Sequence, residues 1–241
     1  MKTSNIIIEK TNRFPLGYIF TYNDFNLSAN QINALTQALY RMVKEGKICK
    51  LSKGRFYKPR LTEFGELKPE VFQIVKDLLE QNGKITGYLT GYSTYNKLGL
   101  TTQVSSIIQI GTNEPKKSIT RGMYKIRFIK QPNKINKENI PLLRILDAIR
   151  NIKEIPDITV DQSCKILSSL IKKINKSDRE TFIRLTKKYN SATRALTGII
   201  YENCFGAKAA EPLLKSLNPS SAYKFGISEK TFPNKQKWNI I

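Results

Sequence analysis

The chain has 241 residues, of which 41 are Lys or Arg, 19 are Asp or Glu and none is His. The formal net charge of +22 favours polyanionic partners: DNA, RNA or an acidic protein. The absence of histidine excludes Ser-His and Cys-His nucleophile pairs, histidine metal ligands and the usual proton shuttle near neutral pH.

The three cysteines, Cys49, Cys164 and Cys204, are far apart and form neither a zinc pair nor a disulfide framework. We expect reduced thiols in a cytoplasmic protein, with no metal and no cofactor. The N-terminal apolar run covers only Ile6–Ile8, and no later stretch is long enough to span a bilayer. A membrane partner is therefore not expected.

The first 27 residues predict a helix, a strand and a short second helix. The segment SNIIIEKTNRFP predicts a helix that starts at Ser4 and stops before Pro15. Tyr18–Thr21 suits a short strand, and Asn23–Phe25 can open a second helix.

The next helix has the strongest local signals in the chain. Ser28 and Gln31 have the spacing of a capping box, and Leu27 with Ile32 forms a hydrophobic staple. Gly46 ends the helix where a left-handed residue is needed. An apolar stripe recurs at helical spacing through Ile32, Leu35, Leu39 and Met42.

The polar face of this helix is rich in amides and basic residues. It consists of Asn30, Asn33, Gln37, Arg41 and Lys44. Amide and guanidinium side chains pair bidentately with adenine and guanine edges in the major groove. An ordinary solvated helix face is the alternative.

A basic hairpin follows directly in the segment KICKLSKGRFYKP. Ile48–Leu51 and Arg55–Tyr57 are predicted as strands, with a turn at Ser52–Gly54. Lys53 and Arg55 at the tip can reach DNA phosphates or the minor groove. This order of elements is typical of a winged helix-turn-helix, although a plain solvated hairpin has the same pattern.

A change of domain is predicted near Phe64–Pro69, where a new helix begins and runs to Gly83. The segment GYLTGYSTYNKLGLTTQ matches no phosphate-binding loop and predicts a tight turn and a short helix. Strands are expected in VSSIIQIG and YKIRFIK, and helices from Pro141 onward.

The predicted fold class is therefore α+β. An N-terminal winged helix-turn-helix over residues 1–66 precedes a larger α/β domain over residues 67–241. In the larger domain, residues 67–135 carry a small mixed sheet and residues 136–241 are mainly helical.

A nuclease site is not recognisable. The pair Pro156-Asp157 needs a later Asp or Glu with Lys two positions on, and no later acidic residue has one. We therefore expect that the protein is not an enzyme.

Three stretches together resemble the AbiEi-type antitoxin and transcriptional regulator family of bacterial abortive-infection systems. They are LTQALYRMVKEGKICKLSKGRFYKP, GYLTGYSTYNKLGLTTQV and the tail from IRLTKKYNSATRALTGIIYEN to WNI. Together they cover most of the chain, and the middle stretch is the most specific of them.

The resemblance implies two roles in phage defence. The N-terminal domain would repress its own operon by binding repeats in double-stranded promoter DNA. The C-terminal domain would counteract a partner toxin of nucleotidyltransferase type. The family's DNA-contacting positions correspond here to Asn33, Gln37, Arg41, Lys53 and Arg55. In the middle stretch, the exposed members expected to contact a partner are Tyr92, Tyr95 and Asn96.

Two alternatives from other classes stay open. One is a stand-alone DNA-binding regulator whose second domain senses a small ligand. The other is a nucleic-acid enzyme with an unrecognised carboxylate site. Co-expression with the neighbouring gene separates an antitoxin from a sensor, and activity that needs a divalent metal indicates the enzyme.

Overall fold

A computed structural model describes residues 3–241. The fold is α+β, because 47% of the residues are helical and 18% lie in strands of small sheets. The chain forms two compact units. The first contains the chain up to Asp77 together with Ile119–Lys125, and the second contains Leu78–Ser118 and Ile126–Ile241.

The N-terminal part of the chain alternates helices with short antiparallel strands. Its elements are α1 (Thr3–Arg13), β1 (Ile19–Thr21), α2 (Ile32–Lys44), β2 (Cys49–Ser52), β3 (Arg55–Tyr57), β4 (Arg60–Thr62), β5 (Gly65–Leu67) and α3 (Val71–Leu79). Two 3-10 turns, Tyr22–Phe25 and Ala29–Gln31, lie between β1 and α2. The predicted helices and strands before residue 58 are therefore confirmed within a residue or two, with a 3-10 turn as the short second helix.

Strands β1, β3 and β2 form one sheet in that order, and both pairs are antiparallel. Phe20 in β1 lies opposite Phe56 in β3, with their rings 6.1 Å apart. Both rings join a cluster with the buried face of α2. That cluster contains Ile7, Phe20, Phe25, Leu35, Ala38, Leu39, Met42, Ile48 and Phe56. The apolar stripe of α2 thus holds the helix on the sheet.

The middle of the chain is built from short strands and one short helix. Its elements are β6 (Glu80–Gln81), β7 (Lys84–Ile85), β8 (Gly87–Thr90), α4 (Tyr92–Lys97), β9 (Ile107–Thr112), β10 (Ile119–Arg121) and β11 (Tyr124–Lys130). Strands β11, β9 and β8 are neighbours in that order, and β8 is antiparallel to β9.

The C-terminal part is helical up to residue 214, as predicted. Its helices are α5 (Asn139–Arg150), α6 (Val160–Lys172), α7 (Arg179–Thr186), α8 (Ser191–Phe205) and α9 (Ala207–Leu214). Trp238 is fully buried against α8, at Gly198. Its indole N–H donates to Glu202 at 2.5 Å, which ties the last residues to that helix.

The limit of the first unit differs from the predicted one at residue 66. Residues 67–77 and the β10–β11 turn pack with the first unit. Arg121 is 5% exposed, and its guanidinium donates to Asp77 at 2.6 and 2.8 Å and to the Ile74 carbonyl at 2.6 Å. The contact that extends the unit joins Arg121 to Asp77, which are 44 positions apart. A pattern among neighbouring residues cannot predict it.

A buried carboxylate lies at the centre of the second unit. Asp147 on α5 accepts hydrogen bonds from the hydroxyls of Tyr88 at 2.5 Å, Tyr189 at 2.7 Å and Thr90 at 2.8 Å. Burial is the strongest influence and raises the pKa of Asp147, while these hydrogen bonds oppose that rise. The network links strand β8 to helix α5 and to the segment between α7 and α8.

Over residues 3–241, no helix combines the length and the apolar character needed to cross a membrane.

Candidate nucleic-acid interface

Helix α2 starts at a cap that the sequence predicts. The backbone N–H of Ser28 donates to Gln31 Oε1 at 3.3 Å, and the Ser28 hydroxyl donates to the same oxygen at 2.9 Å. This cap closes the 3-10 turn Ala29–Gln31, which leads directly into α2. The cap therefore stabilises the start of the helical segment that continues as α2.

The outward face of α2 carries the predicted polar residues. Asn33, Gln37, Arg41 and Lys44 are all exposed on the helix. Asn30 is exposed in the preceding 3-10 turn, where its side-chain oxygen lies 2.5 Å from the Ser28 hydroxyl. All five side chains therefore lie at the surface. Four of them share one face of α2, and Asn30 lies just before the helix begins.

Tyr40 belongs to the same face, although the sequence reasoning did not include it. Its side chain is 72% exposed and lies one turn after Gln37. A phenol has an apolar ring for a thymine methyl group and a hydroxyl for a phosphate. The helical spacing of three residues from Gln37 was the signal that could have found it.

The hairpin β2–β3 follows α2 and ends in a tight turn. Lys53 is exposed at this turn. Gly54 has φ +69°, which a glycine adopts without strain, and a Cβ atom added there would lie 3.6 Å from the Tyr22 ring. The register shifts between Lys50 and Ser52, so a bulge twists the hairpin close to its tip.

Arg55, a predicted phosphate contact, is not a free cation at the tip of the hairpin. Its side chain is 29% exposed, and its guanidinium donates to Asp77 at 2.8 Å. Asp77 also binds both terminal nitrogens of Arg121. Arg55 therefore holds β3 to α3 and the β10–β11 turn, since a carboxylate at this place satisfies two guanidinium groups.

The two arginines also change the pKa of the Asp77 carboxyl between them. Burial acts to raise the pKa of Asp77, but the hydrogen bonds from Arg121 and Arg55 outweigh it and hold the pKa below its usual value. Lys47 similarly pairs with Glu45 at 2.8 Å and lowers the pKa of that carboxyl. Lys53 and the basic residues of α2 have no ion pair among residues 3–241.

Of the three residues expected at a partner surface in the middle stretch, Asn96 is exposed, Tyr92 is half-buried and Tyr95 is buried. Tyr95 is 2% exposed, and its hydroxyl accepts a hydrogen bond from Asn151 at 3.1 Å, so it belongs to the core of the second unit. Tyr92 is half-buried, with its ring 6.0 Å from that of Tyr95. Asn96 is exposed, but its amide donates to the Thr101 carbonyl at 3.1 Å.

The glycines of that stretch have packing roles. At Gly91, with φ +69°, a Cβ atom would lie 1.6 Å from the side-chain oxygen of Gln109. At Gly87, a Cβ atom would lie 2.9 Å from Ile110. The stretch therefore serves mainly to build β8 and α4, because its glycines admit the side chains of β9.

The part of the chain that the structure describes has no group of three or more His, Cys, Asp or Glu side chains that could hold a metal ion.

The sequence of residues 6–181 matches the profile of a protein family described as a family of unknown function, DUF6088. The chain belongs to the DUF6088 family. The match covers the whole polar face of α2, the β2–β3 hairpin and helices up to the start of α7. No curated protein matches the chain.

Among solved structures, the crystal structure of the RV2827C protein from Mycobacterium tuberculosis is similar. The likeness has a TM-score of 0.63 and 12% sequence identity, and it covers 99% of this chain and 90% of that one. At this identity, the comparison concerns the fold alone. The two chains share an architecture over nearly their full lengths.

Proposed function

We propose that the first unit is a winged helix that binds double-stranded promoter DNA. Helix α2 enters the major groove, and the β2–β3 hairpin is the wing. The supporting observation is the exposed row of Asn33, Gln37, Arg41 and Lys44 on a helix whose other face is buried. Amide and guanidinium groups on such a face can read base edges, and lysines can contact phosphates.

The order of elements agrees with this proposal. A helix, a strand, a short turn of helix, a longer helix and a hairpin follow one another, and the first strand pairs with the second strand of the hairpin. In a winged helix-turn-helix, the longer helix reads the groove. Lys53 at the exposed hairpin tip can then contact the phosphate backbone.

The biological role that we propose is that of an antitoxin which also represses its own operon. This part rests on the resemblance to the AbiEi-type family in three stretches of sequence. The partner is a toxin of nucleotidyltransferase type encoded beside this chain. Neither role needs catalysis, so the proposed protein acts by binding.

The first experiment tests sequence reading by α2. DNA fragments of the chain's own promoter, and random DNA of equal length, are titrated with the full chain and with Gln37→Ala and Arg41→Ala. Loss of a base contact is expected to cost about 1–3 kcal/mol on the promoter and much less on random DNA. Gln81→Ala and Arg184→Ala, both exposed in the second unit, are the matched controls.

Equal losses on promoter and random DNA would make Gln37 and Arg41 phosphate contacts and move base reading elsewhere. Unchanged affinity on both would remove α2 from the interface. Either result contradicts the proposal as stated.

The antitoxin role has a separate test in the full chain. The double variant Gln37→Ala, Arg41→Ala is expected to lose promoter binding but still rescue growth when the neighbouring toxin is expressed. The variant is expressed from an unrelated promoter, so that repression of its own operon does not affect the result. If the variant fails to rescue growth while the wild-type chain succeeds, protection depends on DNA binding.

A further inference from the structure

The hairpin β4–β5 belongs to the first unit, and among residues 3–241 no other strand pairs with it. Every residue from Arg60 to Lys68 is exposed, which includes both strands and the turn between them. Three of these residues are large and apolar: Phe64 is 99% exposed, Leu61 76% and Leu67 47%. A two-stranded hairpin on its own is marginally stable in water, and exposed apolar side chains grouped in this way mark a surface that another molecule covers.

The outer edge of β5 is open to a further strand. Within residues 3–241, no main-chain hydrogen bond joins residues 60–68 to any other part of the chain. The outer edge of β4 is the poorer of the two, because Pro59, directly before it, has no N–H to donate. From Gly65 to Lys68 there is no proline, so no N–H is missing along β5. An open edge of this kind can bind an extended strand of another molecule.

The hairpin carries no net charge in a strongly basic chain. Arg60 and Lys68 balance Glu63 and Glu66, while the whole chain has a net charge of +22. A neutral surface has no net attraction for the phosphates of DNA. The hairpin therefore suits a protein strand, and it is a place where a second chain of the same charge meets little repulsion.

Glu66 and Lys68 each lack an ionic partner among residues 3–241. The Glu66 carboxylate accepts hydrogen bonds from two neutral groups, the Tyr57 hydroxyl and the Cys49 thiol. The Lys68 ammonium lies 2.8 Å from the sulfur of Met123, which is a weak acceptor. Each of the two charges can therefore pair with an opposite charge from another molecule.

Pairing two copies of β5 brings these charges together. In an antiparallel pair related by a two-fold axis, residues at equal distances on either side of the axis lie opposite each other. With the axis at Leu67, Glu66 lies opposite the partner's Lys68, and symmetry repeats this pair. Leu67 then lies against the partner's Leu67, and Leu61 adjoins the row of Glu66, its neighbour on β5. An axis at Glu66 would instead place two carboxylates opposite each other.

We infer that the chain forms a two-fold symmetric dimer through β5, in which the two hairpins make one four-stranded sheet. The inner edges are then paired, and four strands are more stable than an isolated hairpin. Because the two copies of β5 run in opposite directions, Phe64 at the tip of each hairpin lies beside the base of the partner's hairpin. The occupant is a second copy because the charges and the apolar residue of β5 complement themselves. The dimer does not depend on DNA binding, and its test uses no DNA.

Sedimentation velocity of the full chain measures association, in about 0.3 M salt that screens the repulsion between +22 chains. The mean mass is expected to rise with concentration, up to about 0.5 mM, from that of one chain toward that of two, since so small an interface is weak. Leu67→Lys places two like charges at the axis and is expected to weaken dimerisation at least about tenfold. Val104→Lys is the matched control, because Val104 is 91% exposed in the second unit.

Charge reversal tests the register of the two strands. Lys68→Glu and Glu66→Lys each place like charges opposite each other in a dimer of identical chains, and each is expected to weaken self-association at least about tenfold. When the two variants are mixed, opposite charges meet at both positions, and heterodimers are expected. Thermal unfolding first shows that each variant is folded, because Glu66→Lys also removes the hydrogen bonds from Tyr57 and Cys49.

The inference is overturned if the wild-type chain keeps the mass of one chain at every concentration. It is also overturned if Leu67→Lys or Lys68→Glu dimerises as the wild-type chain does, or if Val104→Lys loses as much association as Leu67→Lys. These outcomes do not depend on whether Glu66→Lys folds. If both reversed variants fold and their mixture forms no dimers, the strands do not pair about Leu67 and the inference is wrong as stated.

Discussion

The sequence and the structure indicate different roles for Arg55. In the sequence it is a basic side chain two positions after Lys53, at the tip of a hairpin. In the structure its guanidinium forms an ion pair with Asp77, which also pairs with Arg121. Two arginines share one carboxylate, so removing Asp77 would leave buried Arg121 without its counter-ion.

The two basic residues of the hairpin are therefore expected to behave differently on DNA. Lys53→Ala should lower the slope of log affinity against log salt by about 0.9, because one phosphate contact is lost. Arg55→Ala should leave that slope nearly unchanged and lower the free energy of unfolding by about 0.5–1 kcal/mol. Affinities measured at several salt concentrations and urea unfolding separate the two effects, with Lys208→Ala as the control.

An equal fall of the salt slope for both variants would mean that Arg55 exchanges Asp77 for a phosphate when DNA binds. That outcome would restore the original prediction for Arg55.

Asp147 leads to a prediction about pH. Burial raises its pKa in the folded chain above the unfolded value, which is about 3.9. The folded chain therefore holds this proton to higher pH, so this residue's contribution to stability is fully present below the unfolded pKa and falls as pH rises through the folded pKa. Relative to Asp147→Asn, which does not titrate, the wild-type chain should lose stability with rising pH.

Urea unfolding of both chains between about pH 3 and pH 8 measures this difference. Asp178→Asn, at an exposed position, controls for the change in net charge. A wild-type advantage that grows with rising pH would show that the hydrogen bonds from Tyr88, Tyr189 and Thr90 stabilise the carboxylate more than burial penalises it.

At the level of elements, α8 gives a prediction in which two effects oppose each other. Replacing a glycine inside a helix with alanine normally stabilises the helix by about 1 kcal/mol. At Gly198, however, the added Cβ atom would lie 1.9 Å from the Trp238 ring. Gly198→Ala should therefore lower the free energy of unfolding by about 1–3 kcal/mol, as overpacking does.

Thermal unfolding measures the sign directly, and tryptophan fluorescence reports on Trp238, the single tryptophan of the chain. A stabilised Gly198→Ala chain with unchanged fluorescence would mean that the indole can shift without cost.

The elements also show what sequence patterns can and cannot predict. Helix α2, its cap and the β2–β3 hairpin follow from signals between near neighbours, and the structure confirms them. The β4–β5 hairpin was missed because its strands have three exposed residues each and no alternation. Strand β8 was interpreted as a turn because it is buried on both faces and begins at Gly87.

The misplaced residues of the candidate sites have one common cause. The burial of Tyr95 depends on Asn151, which is 56 positions away, and the pairing of Arg55 depends on Asp77, 22 positions away. Charge and residue type do not reveal such partners.

At the level of the whole molecule, the two units have separate apolar cores. The core of the first is built on α2 and the β1-β3-β2 sheet, and that of the second on α5, α6 and α8. Because no buried residue belongs to both clusters, damage to one core need not unfold the other.

Leu39→Ala tests this independence, since Leu39 is fully buried in the first core. The truncation should cost about 2–5 kcal/mol in the first unit, because it leaves a cavity under α2. Hydrogen exchange of the full chain should then show lost protection in α2 and β1–β3 and unchanged protection in α5, α6 and α8. Leu146→Ala, in the second core, is the reciprocal variant. If either substitution lowers protection in both units, the chain unfolds as one cooperative structure, and the proposed DNA binding and antitoxin activity could not be separated by mutating one core.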